Sequence, residues 1–209
     1  MKFYDCTTAP SPRRVRIFMA EKGITLPTVQ VNLRAGEQFS PAYRAINPQC
    51  VVPFLVLDDG TGIGEAAAIC RYLEEIHPEP PLMGSNAKSR GVIAMWDHRM
   101  EAEGVMAAGE VLRNTSPGMK NRALSGAHEF AQIPALAERG RARLRAFFAD
   151  LDARLSESEF IAGPGFTVAD ITALVAVDFA GWVKHGIADT QPHLGRWHQA
   201  VSARPSAKA

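Results

Sequence analysis

The 209 residues carry 23 Lys and Arg against 22 Asp and Glu, a net charge of +1, and 46% of them are hydrophobic. That apolar content can bury a core and excludes disordered or collagen-like chains, while the balanced charge leaves no field to recruit nucleic acid or an anionic membrane surface. Three cysteines, Cys6, Cys50 and Cys70, form no CxxC pair, which argues against a disulfide framework and for a reducing compartment. Met1–Asp5 lacks a signal-peptide run, and no apolar stretch reaches the ~18 residues of a membrane helix. A soluble, cytoplasmic protein with no nucleic-acid or membrane partner is expected.

The first 77 residues mix two periods. Short β-type runs at 2–4, 28–32 and 53–57 are separated by helix-like stretches. Ser11-Pro12 reads as an N-cap followed by proline at the first helical position, Val15, Phe18 and Met19 share one face, and Gly23 stands where a C-terminal cap belongs. Asp58-Asp59-Gly60 is a hairpin turn. Ile69, Tyr72, Leu73 and Ile76 then mark a third helix.

The stretch from His77 to Gly84 holds three prolines and reads as a linker. Beyond it strand signals disappear. Helical spacing recurs at Ile93/Trp96/Met100, at Leu144/Phe147/Phe148/Leu151/Leu155 and at Leu194/Trp197/Val201, with turns at Pro117-Gly118 and Gly163-Pro164-Gly165. The segment from Thr167 to Lys184 is apolar nearly all round, so it is expected to run through a core. Thr167-Val168-Ala169-Asp170 is a capping box with Asp for the usual Glu, and Phe166 is placed to staple onto Ile171. Asp170 therefore reads as a capping residue rather than a catalytic carboxylate. The expected division is an α/β domain over 1–80 and an all-helical bundle over 86–209.

Two segments carry a family resemblance. The run from Asn47 to Gly60 followed by Glu65–Glu74, together with Phe166–Ile171, resembles the cytosolic glutathione transferases over essentially the whole chain. That resemblance implies a thioredoxin-like N-terminal domain plus an all-α C-terminal domain. It also implies glutathione as co-substrate, a small hydrophobic electrophile as second substrate, and a homodimer. By the same resemblance Val52-Pro53 is a cis peptide whose Val52 N–H and C=O pair with the cysteinyl backbone of glutathione as an added strand would. Glu65 takes the α-ammonium, and the N–H of Ala66 at the start of the third helix meets the γ-glutamyl carboxylate. Relatives usually have Ser at residue 66, so Ala66 loses one charge-assisted hydrogen bond, about 1.5–3 kcal/mol.

The thiol of glutathione, with an ordinary pKa near 8.5, must be held as thiolate to react at neutral pH. Ala9-Pro10-Ser11-Pro12 occupies the place of the redox Cys-Pro-x-Cys motif, so a nucleophilic cysteine is absent there. Ala9 also stands where many relatives have a catalytic Ser, and Tyr4 lies too early to act as the Tyr of others. What remains is the N-terminus of helix one, the hydroxyls of Thr7, Thr8 and Ser11, and the cations Arg13 and Arg14. The pattern Tyr4-Asp5, Pro10, Arg14–Ile17, Gly36-Glu37, Leu57–Thr61 and Gly91–Ile93 resembles a fungal and bacterial branch that lacks the standard catalytic Tyr, Ser or Cys. That branch implicates a water held by the first long helix of the second domain, which makes Glu110, Arg113 and Asn114 candidates. The catalytic assignment is accordingly Ser11, Thr8 and Arg113.

No spacing of the six histidines suggests a metal site, and Gly60–Gly64 lacks the lysine of a phosphate loop. Trp96 and Trp197 read as core residues, and Trp182 as core or pocket. Three functions stay open: conjugation of glutathione to electrophiles, with glutathione-dependent peroxide reduction; binding of ligands or partners without turnover; and thiol–disulfide exchange through Cys6. Val52-Pro53 and Glu65 favour the first, Ala9 and Ala66 the second, and the third requires Cys6 to be exposed and acidic.

Overall fold

Strand β1 (Lys2–Asp5) alternates, with Phe3 and Asp5 buried and Lys2 and Tyr4 on the other face. It sits inside a four-stranded sheet of order β2-β1-β3-β4, with β2 at Thr28–Gln30, β3 at Phe54–Val56 and β4 at Gly62–Gly64. The computed structural model describes residues 1–209, which fall into two units. The first comprises Met1–Pro80, Leu124–Glu129 and Ala209; the second comprises Pro81–Ala123 and Phe130–Lys208.

In the first unit β1 and β2 are parallel, which requires a crossover, and α1 (Pro10–Glu21) supplies it. β3 runs antiparallel to both β1 and β4. Leu57 N–H to Thr61 C=O at 2.8 Å and Gly60 N–H to Leu57 C=O at 3.1 Å close the hairpin turn. A short helix α2 (Pro41–Ile46) follows β2, and α3 (Ala66–Ile76) packs against α1. This is the thioredoxin-like α/β arrangement. Phe3, Val15, Ile17, Phe18, Leu55, Ile69 and Leu73 are fully buried, each such side chain contributing about 1.5–3 kcal/mol.

The C-terminus of α1 is set by Gly23 at φ +65, with its N–H bonded to Ala20 C=O at 3.2 Å and Ile24 N–H to Met19 C=O at 2.9 Å. This left-handed closure is the one glycine accepts without a Cβ penalty. The N-terminus departs from expectation. The helix begins at Pro10, with Ala9 as N-cap in an extended conformation and no side-chain cap. Proline forces the residue before it out of the helical region, so Pro10 rather than Pro12 fixes the boundary. Ser11 lies inside the first turn and is not the N-cap.

The second unit is all helical. α4 (Ala87–Arg99), a π-helical turn over Met100–Val105 and α5 (Met106–Thr115) follow without a break. The π turn is closely packed: a Cβ on Gly104 would stand 2.6 Å from the Phe147 ring and 2.8 Å from Ala176, so a larger residue would force its neighbours to shift. Arg143 of α6 (Pro134–Glu157) donates to the Ala102 carbonyl within that turn. α7 (Val168–Trp182) is buried continuously from Val168 to Val177, as a helix apolar all round must be, and α8 (Pro192–Ser202) packs beside it.

Asp170 is wholly buried and accepts four hydrogen bonds: from Ile161 N–H at 2.9 Å, Trp197 Nε1–H at 2.9 Å, Thr167 N–H at 3.0 Å and the Thr167 hydroxyl at 3.1 Å. Burial pushes its pKa up, and those donors oppose the rise. With no exposed atom the carboxylate joins α7, α8 and the 158–167 loop.

Candidate functional site

Strand register assembles the site. Tyr4 pairs with Phe54, and Phe54 with Gly64. Antiparallel pairing therefore places the exit of β1 (Cys6–Ala9), the entry to β3 (Val52-Pro53) and the exit of β4 (Glu65-Ala66) along one end of the sheet. The N-termini of α1 and α3 open onto that end. Of the expected site residues, Thr8, Ser11, Val52, Pro53, Glu65 and Ala66 belong to this first unit, and Arg113 to the second.

The Val52–Pro53 bond is cis. Val52 lies just outside β3, and its N–H and C=O make no hydrogen bond within the chain. Glu65, the N-cap of α3, holds the backbone at φ 60, ψ 128, and its exposed carboxylate makes no capping bond. A non-glycine residue in that region stores about 1–3 kcal/mol. The first helical bond runs from Ile69 N–H to Glu65 C=O at 3.0 Å, which leaves the amides of Ala66, Ala67 and Ala68 ahead of the ladder. An unpaired strand edge, a free carboxylate and a helix N-terminus thus stand side by side.

The β1–α1 loop is braced from below. Because β1 alternates, Asp5 falls on its buried face and is 1% exposed. Arg16 of α1 meets its Oδ1 at 2.6 Å, and Gln30 Nε2 donates to its Oδ2 at 2.6 Å. The same two residues hold the loop: Arg16 donates to Thr7 C=O at 3.1 Å, while Gln30 Oε1 accepts from the N–H and the hydroxyl of Thr7 at 3.0 Å. Sequence reasoning quoted Asp5 and Arg16 only as part of a pattern and missed Gln30. The usable signal was an acid at an inward strand position, which demands a partner.

The catalytic candidates fare unevenly. Thr8 is exposed, its hydroxyl 3.5 Å from the Cys6 sulfur. At the start of α1, Pro10 and Pro12 carry no N–H, so Ser11 alone offers an amide and a hydroxyl in the first three positions. Arg113 donates to Arg122 C=O at 2.9 Å, and burial first, then Arg122, lowers its pKa from the usual guanidinium value. Asn114 is 7% exposed; it donates to Glu110 C=O at 2.8 Å and accepts from Ile133 N–H at 2.8 Å. Glu110 is bridged by Arg139 and Arg143. All three supposed water holders thus have structural partners in the helical unit.

Cys6, Cys50 and Cys70 are buried and form no disulfide, so Cys6 lacks the exposure that thiol exchange requires. Tyr4 stacks edge-on against Tyr43 at 5.9 Å. Trp197 is core, whereas Trp182 is 55% exposed beside Phe179 at 5.1 Å. No helix is long and apolar enough to cross a membrane, and no group of three or more His, Cys, Asp or Glu is arranged to hold a metal ion.

Comparison with known proteins bears on the fold and the family. Residues 8–76 match the model of the glutathione S-transferase N-terminal domain, and residues 116–205 that of the C-terminal domain. The chain is 33% identical to glutathione S-transferase 2 of Saccharomyces cerevisiae, over 100% of this chain and 88% of that protein. A crystal structure of a glutathione S-transferase domain-containing protein from Marinobacter aquaeolei superposes with a TM-score of 0.91 at 39% identity, covering 99% of both chains. A class Gtt2 glutathione S-transferase of Vibrio parahaemolyticus superposes with a TM-score of 0.83 at 36% identity, covering 99% of this chain and 95% of that one. With a thioredoxin-like α/β unit, an all-helical unit and full-length relatives above 30% identity, the chain belongs to the glutathione S-transferase family.

Proposed function

We propose that the protein binds glutathione at the sheet end formed by Val52-Pro53, Glu65 and Ala66, and transfers its thiolate to small hydrophobic electrophiles. The carrying observation is the convergence there of an unpaired Val52 N–H and C=O, an unpartnered Glu65 carboxylate and the free first amides of α3. Each complements one part of the tripeptide. The strand edge suits the cysteinyl backbone, the carboxylate suits the ammonium, and the amides with the helix dipole suit the γ-glutamyl carboxylate.

Catalysis then requires loss of the thiol proton, formation of a carbon–sulfur bond and departure of the leaving group with its bonding pair. Ser11, through its amide and hydroxyl, is the group at α1 that can stabilise the thiolate, with Thr8 beside it. Arg113 enters this reading as a support of the helical unit. Peroxide reduction by the same thiolate would consume two glutathione molecules per peroxide and yield the disulfide, an alcohol and water. We place the enzyme in the cytoplasm as a homodimer.

Binding without turnover is the second reading, favoured by the paucity of donors at the start of α1. Calorimetry with glutathione and a screen of electrophiles test both together. Saturable binding with conjugation supports the enzyme, saturable binding without it supports the binding module, and no binding refutes both.

A further inference from the structure

One residue ahead of Val52, two buried side chains converge on a single carbonyl. The Val51 C=O accepts from Tyr43 Oη at 2.7 Å and from Asn47 Nδ2 at 2.9 Å. Both donors are fixed from behind. Tyr43 is 4% exposed, its N–H is capped by the Ser40 hydroxyl at 3.1 Å, and its ring packs edge-on against Tyr4 of β1. Asn47, 2% exposed, closes α2 through its N–H to Tyr43 C=O at 2.8 Å, and its Oδ1 accepts from Gln49 N–H at 3.0 Å. Cys50, between Asn47 and Val51, is held at φ +57, a conformation that a non-glycine residue keeps only when its surroundings over-determine it. Burial pushes the Tyr43 phenol up to about 12, so it remains a donor throughout the neutral range.

The consequence follows from peptide planarity. The 51–52 bond is trans, so the Val51 C=O and the Val52 N–H lie in one plane and point in opposite directions. Clamping the carbonyl therefore aims the amide. Two donors occupying both lone pairs of one carbonyl leave that plane little freedom to rock. We propose that Tyr43 and Asn47 are positioning residues for the thiol substrate: by clamping the Val51 carbonyl they orient the Val52 N–H toward the cysteinyl carbonyl of glutathione. This rests on the glutathione reading of the Val52 edge.

A paired-ligand experiment tests it. Glutathione is compared with γ-glutamylcysteamine, which keeps the γ-glutamyl group and thiol but lacks the cysteinyl carbonyl that the Val52 N–H would meet. Tyr43→Phe removes one hydroxyl and keeps the ring. It should weaken glutathione binding about five-fold, the scale of one neutral hydrogen bond, and leave γ-glutamylcysteamine binding within about two-fold. In turnover the KM for glutathione should rise with kcat and the KM for the electrophile unchanged. Glu65→Gln, as a control, should weaken both ligands equally. A Tyr43→Phe protein that loses both ligands equally, as misfolding would cause, or that loses neither, overturns the inference while leaving the glutathione reading intact. Failure of the unsubstituted protein to bind glutathione overturns both.

Discussion

Replacing Glu65 by glycine should move stability and binding in opposite directions. The backbone at φ 60, ψ 128 costs about 1–3 kcal/mol for a side-chain-bearing residue, and glycine relieves it. Against that stand about 0.4–1 kcal/mol for the larger unfolded-state entropy of glycine and about 0.3–1 kcal/mol for the acid lost from a helix N-terminus. No capping bond is sacrificed, because the carboxylate makes none. At the middle of these ranges the balance is a gain of about 0.7 kcal/mol, or roughly 1–3 °C in Tm for a chain of this length. Glutathione, by contrast, loses a charge-assisted partner for its ammonium, about 1.5–3 kcal/mol, or roughly 10- to 100-fold in Kd. Glu65→Gln keeps the strained backbone, so it should weaken binding at least about tenfold without the thermal gain. Calorimetry and thermal unfolding on the two variants decide the matter. A Glu65→Gly protein destabilised by more than about 1 kcal/mol shows the backbone is not strained, and unchanged affinity in either variant removes Glu65 from the site.

Ser11→Ala should leave stability within about 0.5 kcal/mol, because Ala9 and not Ser11 caps α1; a loss near 1 kcal/mol in urea unfolding would restore a capping role. In the same variant the bound thiol pKa, followed by thiolate absorbance, should stay below the free value of about 8.5 through the remaining Ser11 amide, and a full return to the free value would make the hydroxyl the dominant activator. Cys6→Ser should retain most transferase activity, since the thiol is buried; trapping a glutathione mixed disulfide on Cys6, with activity lost in the variant, would contradict this. Asp170→Ala strips a partner from four buried donors and should cost more than about 4 kcal/mol, with a loss under 1 kcal/mol counting against the network. Burial of His185, with a smaller contribution from Arg145, lowers its pKa below the usual histidine value. The unfolded chain then binds the extra proton first, so this contribution is present above about pH 6.5 and is lost as pH falls. His185→Gln should flatten that slope in pH-dependent unfolding.

Local chemistry makes much of the molecule legible in its sequence. Gly23 ended α1 where a left-handed residue was needed, and Asp58-Asp59-Gly60 turned the β-hairpin. The all-round apolar run after Thr167 became a helix buried from Val168 to Val177. Asp170 was read as a cap from spacing alone, and four donors converge on it. These features depend on residues within a turn or two of one another, and periodicity and capping report on that range. The start of α1 was misread because two prolines two residues apart, Pro10 and Pro12, each qualify as a first helical residue. Spacing alone does not choose between them.

What the amino-acid order determined by itself is therefore most of the larger elements, the Asp170 cap and the segments Val52-Pro53 and Glu65-Ala66. Tertiary structure decided which of their atoms are left over. Only the strand register brings Val52 beside Glu65, and only packing shows that Asn114 and Arg113 have structural partners while Thr8 remains exposed. It was likewise the fold that set Gln30 against Asp5, and Tyr43 and Asn47 against the Val51 carbonyl. The reason is physical. Whether a polar group is free to meet a ligand depends on every other group within hydrogen-bonding reach, and those groups come from distant parts of the chain.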